Sequence, residues 1–535
     1  MADSRTDALI IGGGHNGLVC AAYLAKAGHS VRVLERRGVV GGAAVTEEFH
    51  PGFRNSTASY TVSLLHEKVI RELDLHRHGL RIVERELGNF LPLPDGRYLK
   101  AGEGRTQAEV AKFSRRDADR LSAYGEHLER SASLLRELAL KTPPNVVEGS
   151  WLQAVPELLK AAGLGRRVAG MGLQAQRDLL DLFTDSAGDY LERWFESEPI
   201  QALFGFDGVV GNYASPYSAG SAYVLLHHVF GEVNGKQGVW GHAIGGMGAI
   251  TQAMARAAAA AGVDIRVNAG VEEVLVENGA AIGARTVDGQ MFRANCVVSN
   301  LNPKLLFGKL VPQAALAPEF AERMRAYRCG SGTFRMNVAL SELPDFSCLP
   351  GSARAEHHTA GIILAPSLRY MEQAYFDARS HGWSKQPIVE MLIPSTLDDS
   401  LAPKGAHVAS LFCQHVAPEL SDGRQWSDHR DEVAQLMIET VNRAAPNFRA
   451  SVLGYRALTP MDLETEFGLV GGDIFHGALS LNQLFSARPL LGHGNYRGPL
   501  KGLYLCGSGS HPGGGVSGLP GHNAAREVLK DGFRK

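Results

Sequence analysis

Apolar residues gather in distinct patterns along the chain, and each pattern predicts a different element. Residues 7–11 (DALII) form a short, nearly continuous apolar run, as expected of a strand buried on both faces of a parallel sheet. Residues 18–27 repeat at helical spacing and stop at Gly28, and residues 30–35 (SVRVLE) return as a second strand. From about 100 to 200 the spacing is helical. Residues 118–140 predict one helix, Pro143-Pro144-Asn145 breaks it, and an amphipathic stretch covers residues 151–195. The arginines and lysines of that stretch read as a solvated helix face, with docking on a membrane surface as the alternative. Strand and helix alternate again near residue 240. Gly245-Gly246-Met247-Gly248 opens an alanine-rich helix over 249–261, and strands follow at 264–268, 271–277, 280–287, 290–293 and 296–299. Asn278-Gly279 and Asp288-Gly289 are hairpin turns within that series. Beyond residue 301, strand runs at 332–340, 388–393 and 407–414 mix with a helix over 428–445, which suits a separate domain with a mixed sheet.

The junction of the first strand and first helix brings in chemistry. Gly12-Gly13-Gly14-His15-Asn16-Gly17 matches G-x-G-x-x-G: the first glycine permits a tight turn, the second lets backbone approach a pyrophosphate, and the third lets the helix pack on the strand. Glu35 ends the second strand, 18 residues after Gly17, where a carboxylate accepts hydrogen bonds from a ribose diol and repels the 2′-phosphate of NADP. Strand, glycines, helix, strand and acid fall in the order of a dinucleotide-binding unit.

Two further motifs carry a resemblance. Arg36-Arg37-Gly38-Val39-Val40-Gly41-Gly42-Ala43-Ala44 resembles the second dinucleotide-contact motif of glutathione-reductase-type FAD proteins, in the branch of amine oxidases and phytoene desaturases. That branch carries arginine after the doublet, where this chain has Ala43 and Ala44. Near the C-terminus a strand dissolves into glycine, and the YLCGSGSHPGGGV run resembles the C-terminal signature of bacterial-type carotenoid desaturases. Residues 458–464, 468–477 and 482–485 resemble the phytoene-dehydrogenase-like group that includes the cyanobacterial-type β-carotene ketolases. The chain is thus similar to the phytoene desaturase and carotenoid ketolase-like FAD oxidoreductases, and among them to the pyridine nucleotide-disulphide oxidoreductase domain-containing protein 2 group.

That resemblance implies an α/β fold with a discontinuous, glutathione-reductase-type Rossmann domain for FAD (residues 1–90, 235–300 and 490–535). A helical or substrate region (91–234) and a mixed-sheet substrate domain (301–489) fill the gaps. It also implies FAD contacts at Gly12, Gly14, His15, Asn16, Gly17, Glu35, Arg36, Gly41, Gly42, Ala43 and Ala44, with Val271 facing adenine. Gly507, Ser508, His511, Pro512, Gly513, Gly515 and Val516 fall at the flavin end. Gly513, Gly515 and Gly518 also satisfy G-x-G-x-x-G, but too few residues follow to build a second dinucleotide unit.

Length, charge and cysteines narrow the function. The 535 residues suit two to four domains, and 44% hydrophobic with 21% charged residues is an ordinary globular balance. A net charge of −2 argues against nucleic acid as partner. The six cysteines form no C-x-x-C or C-x-x-x-x-C pair, which argues against a metal site, a disulfide framework or disulfide reductase chemistry. No secretory or transit segment precedes the first strand and no apolar run spans a bilayer, so a cytoplasmic protein is expected, with peripheral membrane contact left open. The expected reaction is desaturation, isomerisation or oxidation of a hydrophobic, polyene-like or lipid-like small molecule by FAD. His228, in a small, aromatic stretch (215–230) leading to Trp240, and His476 are the catalytic candidates; His511 is placed as a shaper of the flavin pocket. The 215–230 stretch reads equally as pocket wall or ordinary buried helix. A flavin amine oxidase, which an aromatic pair beside the flavin would favour, and an interaction protein with a largely structural FAD are the alternatives.

Overall fold

The computed structural model describes residues 5–147, 151–351 and 353–533. Its organising element is the strand Thr6–Ile11, whose alternate side chains supply two different cores. Ile10 stands in register with Val33 on one side and Val298 on the other. These three residues face the helices His15–Lys26, Met247–Ala260 and Leu519–Asp531, with Leu24, Met254 and Val528 among the contacts. Leu9, Leu34 and Val297 point the other way, onto Phe292 and Phe307. The parallel sheet runs in the order Asp264–Arg266, Val31–Leu34, Thr6–Ile11, Met291–Ser299, Leu503–Leu505, so three distant pieces of chain build it.

The strands expected at 290–293 and 296–299 are one strand, Met291–Ser299. Its start pairs antiparallel with Ala280–Thr286, and from Ala294 onward it pairs in parallel with Thr6–Ile11. No turn residue interrupts it, because Ala294-Asn295 passes directly from the small meander into the main sheet.

A second sheet has the order Val452–Leu458, Phe334–Leu340, His407–Val416, Trp383–Leu392, Gly361–Leu364, Asn89–Pro92, Tyr98–Ala101. All its contacts are antiparallel except that of Gly361–Leu364 with Asn89–Pro92. The expected boundary at residue 91 therefore falls inside a strand of this sheet. Helix Trp426–Ala444 covers one face through Val433, Met437 and Val441. The helical region covers the other face, where Leu203, Phe206 and Leu225 meet Ile388 and Phe412. The stretch 151–195 contains three helices, Trp151–Ala169, Leu173–Thr184 and Ala187–Trp194. Gly172, with φ +82°, separates the first two, and the Ser186 side chain caps the third by accepting from the Asp189 N–H. No helix of the described residues is long and apolar enough to cross a membrane.

Ile10 has no solvent exposure, whereas Leu453 is 51% exposed. Ile10→Ala should therefore cost about 2–5 kcal/mol in urea unfolding, and Leu453→Ala less than about 0.5 kcal/mol. Equal midpoints for the two variants would contradict this placement of the core.

Candidate functional site

At the C-terminal edge of the parallel sheet the chain leaves Ile11 and turns through the glycine loop into helix His15–Lys26. The loop is close to every neighbour. A Cβ on Gly14 would stand 2.5 Å from Asn300 Nδ2, and one on Gly17 would stand 2.3 Å from the Gly12 carbonyl oxygen. The glycine doublet lies against this loop: the Gly41 N–H donates to the Gly13 carbonyl at 2.9 Å. Glu35 reaches back from the second strand, one carboxylate oxygen accepting from the Gly13 N–H at 2.8 Å and the other from the Arg37 N–H at 2.9 Å. Sequence reading missed Asn300, the first residue beyond strand Met291–Ser299. Its Oδ1 accepts from the Gly17 N–H at 3.1 Å and its own N–H donates to the Ile11 carbonyl at 2.9 Å.

A cavity of about 320 Å³ opens above this edge. Gly12, Gly14, His15, Glu35, Arg36, Gly42, Ala43, Val271 and Ser508 all line it, as do Asn300 and Gly270. Phe467 and Gly468 close it from the substrate-sheet side. Asn16 and Gly17 lie just behind, where the Asn16 amide donates to Ser508 Oγ at 3.2 Å. Ala44 is fully buried in the helix-side core. Gly507 packs against Asn300, where a Cβ would come within 2.5 Å of the Asn300 carbonyl oxygen.

A second, smaller cavity of about 110 Å³ meets the first at His15, Ala43, His476 and Ser508. Gly515 and Val516 line it, with Tyr60, His228, Trp240, Phe412 and Phe475. Two of its wall residues hold left-handed backbone, His476 at φ +60° and Val516 at φ +58°, and a β-branched residue there is strained. Arg488, also missed from sequence, fixes this wall. It is fully buried and donates to the carbonyls of Ser508, Phe475 and Gln483, without a carboxylate beside it among the hydrogen bonds of the described residues. Burial, with the Arg488 cation second, pushes the His476 imidazole down to about 4. Burial, with His476 second, pushes His15 down to about 3. Both are therefore neutral at physiological pH.

The two catalytic candidates differ in what they present. His476 Nδ1 has no hydrogen-bond partner among the described residues. His228 Nδ1 lies 2.8 Å from the Val224 carbonyl, one helical turn back, so that nitrogen carries the hydrogen. The 215–230 stretch is thus both of the things its sequence suggested, a buried helix (Ser221–Val229) and a cavity wall.

His511 and Pro512 are not at either cavity described so far. The His511 ring turns to the Leu138 carbonyl, 2.9 Å away, and stands edge-on to Phe485. With Pro512 it lines a third cavity of about 290 Å³, walled by Leu135, Leu164, Leu179, Phe183 and Tyr223 of the helical region. Gly513 packs beside Arg488, and Gly41 packs against the Ala44 carbonyl and Thr251. No cluster of three or more metal-ligating side chains exists among the described residues.

These features suit a dinucleotide with a planar head. His15 Nε2, Asn16 Oδ1 and His476 Nδ1 are buried atoms without a partner among the described residues, all at or beside the junction of the two cavities. Buried polar atoms left unpaired are costly, so a polar ligand group at that junction completes them.

The comparisons with known proteins agree with this geometry. The rat protein named pyridine nucleotide-disulfide oxidoreductase domain-containing protein 2 is 40% identical, over 98% of this chain and 93% of its own length. A lycopene-forming phytoene desaturase of Pseudescherichia vulneris is 26% identical, over 96% of each chain. Cyclohexylamine oxidase of Brevibacterium oxydans shares the fold, with a TM-score of 0.56 at 16% identity, over 99% of this chain and 98% of that one. The family model described as flavin containing amine oxidoreductase matches residues 17–333. The chain is an FAD-dependent oxidoreductase and belongs to the flavin containing amine oxidoreductase family.

Proposed function

We propose that this oxidoreductase acts on an uncharged, hydrophobic molecule of polyene or lipid type, as a desaturase, isomerase or oxidase. The observation that carries this reading is the lining of the 110 Å³ cavity: aromatic, aliphatic, hydroxyl and imidazole groups, with no carboxylate, ammonium or guanidinium. Such a wall binds apolar surface and offers no counter-ion. Leu64 borders both this cavity and the 290 Å³ apolar one, and His227 and His228 are successive residues facing the two, so two apolar spaces lie side by side. The helices carrying Leu164 and Leu179 also expose Leu158, Leu159, Leu173 and Leu180, which supports peripheral contact with a membrane surface.

Bound FAD supplies an acceptor for a hydride or for single electrons. In this reading the glycine loop and the start of helix His15–Lys26 hold the pyrophosphate, and Glu35 the ribose. Gly270 and Val271 lie against the adenine. The residues that would hold the flavin ring are His15, Ala43, His476 and Ser508 at the junction, with Gly515, Val516 and the N-terminus of helix Leu519–Asp531 beyond. The unpaired Nδ1 of His476 would be free to hydrogen-bond the flavin, and His228 shapes the substrate wall.

An amine substrate fits this cavity less well. The Tyr60 and Phe412 rings do form an aromatic pair on its wall, but they stack on each other at 5.2 Å and 21° and leave no slot between them. Arg335 lies 4.5 Å beneath the Tyr60 ring, where its charge repels an ammonium.

Three outcomes follow. Anaerobic addition of carotenoid or lipid polyenes should bleach the bound flavin; bleaching by amines alone would move the substrate to the amine class. Glu35→Gln should weaken FAD binding by roughly tenfold or more in titrations of the apoprotein, because a hydrogen bond to a charged group is worth about 1.5–3 kcal/mol; unchanged affinity would remove Glu35 from the site. In the unfolded chain His15 and His476 take up protons below about pH 6.5, but in the folded apoprotein only near 3 and 4, so acid favours the unfolded state. Wild-type apoprotein should therefore lose more stability between about pH 7 and 5 than a His15→Gln/His476→Gln double variant, and parallel losses would show these imidazoles to be solvated.

A further inference from the structure

Behind the aromatic wall of the small cavity lies a set of ionisable groups that the reading above does not use. The Tyr60 hydroxyl donates to Glu390 Oε2 at 2.5 Å. Glu390 is buried on strand Trp383–Leu392, with Arg85 and Arg335 near it. Burial raises its carboxyl above the usual range, against the pull of Arg85, Tyr60 and Arg335. Asp207 faces Glu390 and is pushed up to about 8, by burial first and by Glu390 second.

Tyr60 has two sides. One lines the 110 Å³ cavity, and the other lines a small void of about 10 Å³, about the room of a single water. Across that void stand Arg85 and His242. His242 Nε2 lies 3.1 Å from Asp398 Oδ2, and both residues are buried. Asp398 also accepts from the Gly245 N–H at 2.6 Å and from the Ser400 hydroxyl at 2.6 Å. Those donors and His242, after the opposing effect of burial, hold its carboxyl well below the usual carboxylate range, so it is ionised beside His242. Ser400 is exposed and, with Gly245, borders an outer cleft of about 390 Å³.

We propose that Tyr60, Glu390 and the His242–Asp398 pair form the route by which a proton set free in the flavin cavity reaches the surface cleft at Ser400. This rests on the reading of that cavity as the place of substrate oxidation. Removing two hydrogens from adjacent carbons sends a hydride to the flavin and leaves one proton behind. Tyr60 accepts that proton on its oxygen as its own passes to Glu390. The proton held between Tyr60 and Glu390 then passes to a water in the void, which Tyr60 and His242 both line, and on to His242 beside the Asp398 carboxylate; Asp398 hands it to solvent at Ser400, whose hydroxyl it holds at the edge of the cleft. Charge is thereby kept out of the apolar substrate wall while an exit for protons is provided behind it.

The test needs no substrate. FAD-loaded enzyme is photoreduced anaerobically and then oxidised with ferricenium, which takes one electron per ion and no proton. Each reduced flavin must therefore release one proton from the anionic hydroquinone or two from the neutral one, followed with a pH-indicator dye while flavin absorbance reports the electrons. In the wild type the two signals should coincide. In His242→Ala and Tyr60→Phe, proton release should lag flavin oxidation by about 10²-fold, and added imidazole should restore His242→Ala but not Tyr60→Phe. Asp398→Asn, which keeps the shape of the pair, should lag as well and serves if His242→Ala does not fold. Coincident signals in all the folded variants would overturn the route. Absence of bound flavin from the wild type would overturn the cavity assignment itself, and that shows before any variant is made.

Discussion

Asn300 joins three remote stretches of chain at one edge of the parallel sheet, and the candidate site depends on that junction. Its backbone N–H continues the ladder onto Ile11, its side chain accepts from Gly17, and its carbonyl is covered by Gly507. The contacts are too close for side chains at Gly14, Gly17 or Gly507, so these glycines are needed for the chain to converge. A sheet assembled from residues near 10, near 298 and near 504 has no local reason to form. What stabilises it is burial of Ile10, Val33 and Val298 beneath three helices and of Leu9, Leu34 and Val297 on the opposite face.

The second constraint is the separation of charge from the apolar cavity. Arg488, Arg335, Arg85 and Glu390 are all near the two cavities, yet none lines the smaller one. Arg488 is spent on backbone carbonyls, and its charge adds to the burial that keeps His476 neutral. Arg335 and Glu390 sit behind Tyr60, which lines the cavity and donates its hydroxyl to the carboxylate. Neutral imidazoles and an uncharged wall favour binding of apolar surface, and the ionic groups one layer back set protonation without contacting the ligand. Left-handed backbone at His476 and Val516 marks the same wall, consistent with strain held at a working surface.

Much of the first dinucleotide unit was legible because its signals are local. Strand, glycine loop, helix, strand and Glu35 lie within the first 35 residues, and the pattern places all of them at one cavity. The return near 245–299 was legible for a similar reason, apart from the two strands that proved to be one. Strand Asn89–Pro92 was missed although it forms a hairpin with Tyr98–Ala101; it is only four residues long, and its other partner, Gly361–Leu364, lies about 270 residues away. His511 is the instructive case. Its motif put it near the flavin, but its direction is set by the Leu138 carbonyl, 373 positions earlier. Tyr60 and Glu390 are 330 positions apart and share no motif, so only the folded chain brings them together.

The central claim is that FAD lies along the junction of the two inner cavities with its reactive edge toward the uncharged one. The most direct measurement is a crystal structure of the FAD-loaded protein. The account predicts an isoalloxazine ring bounded by His15, His476 and Ser508, its N5 edge open to the cavity walled by Tyr60, Trp240 and Phe412. A flavin ring seated in the 290 Å³ cavity beside His511, or one whose N5 edge faces the Glu35 side, would contradict it.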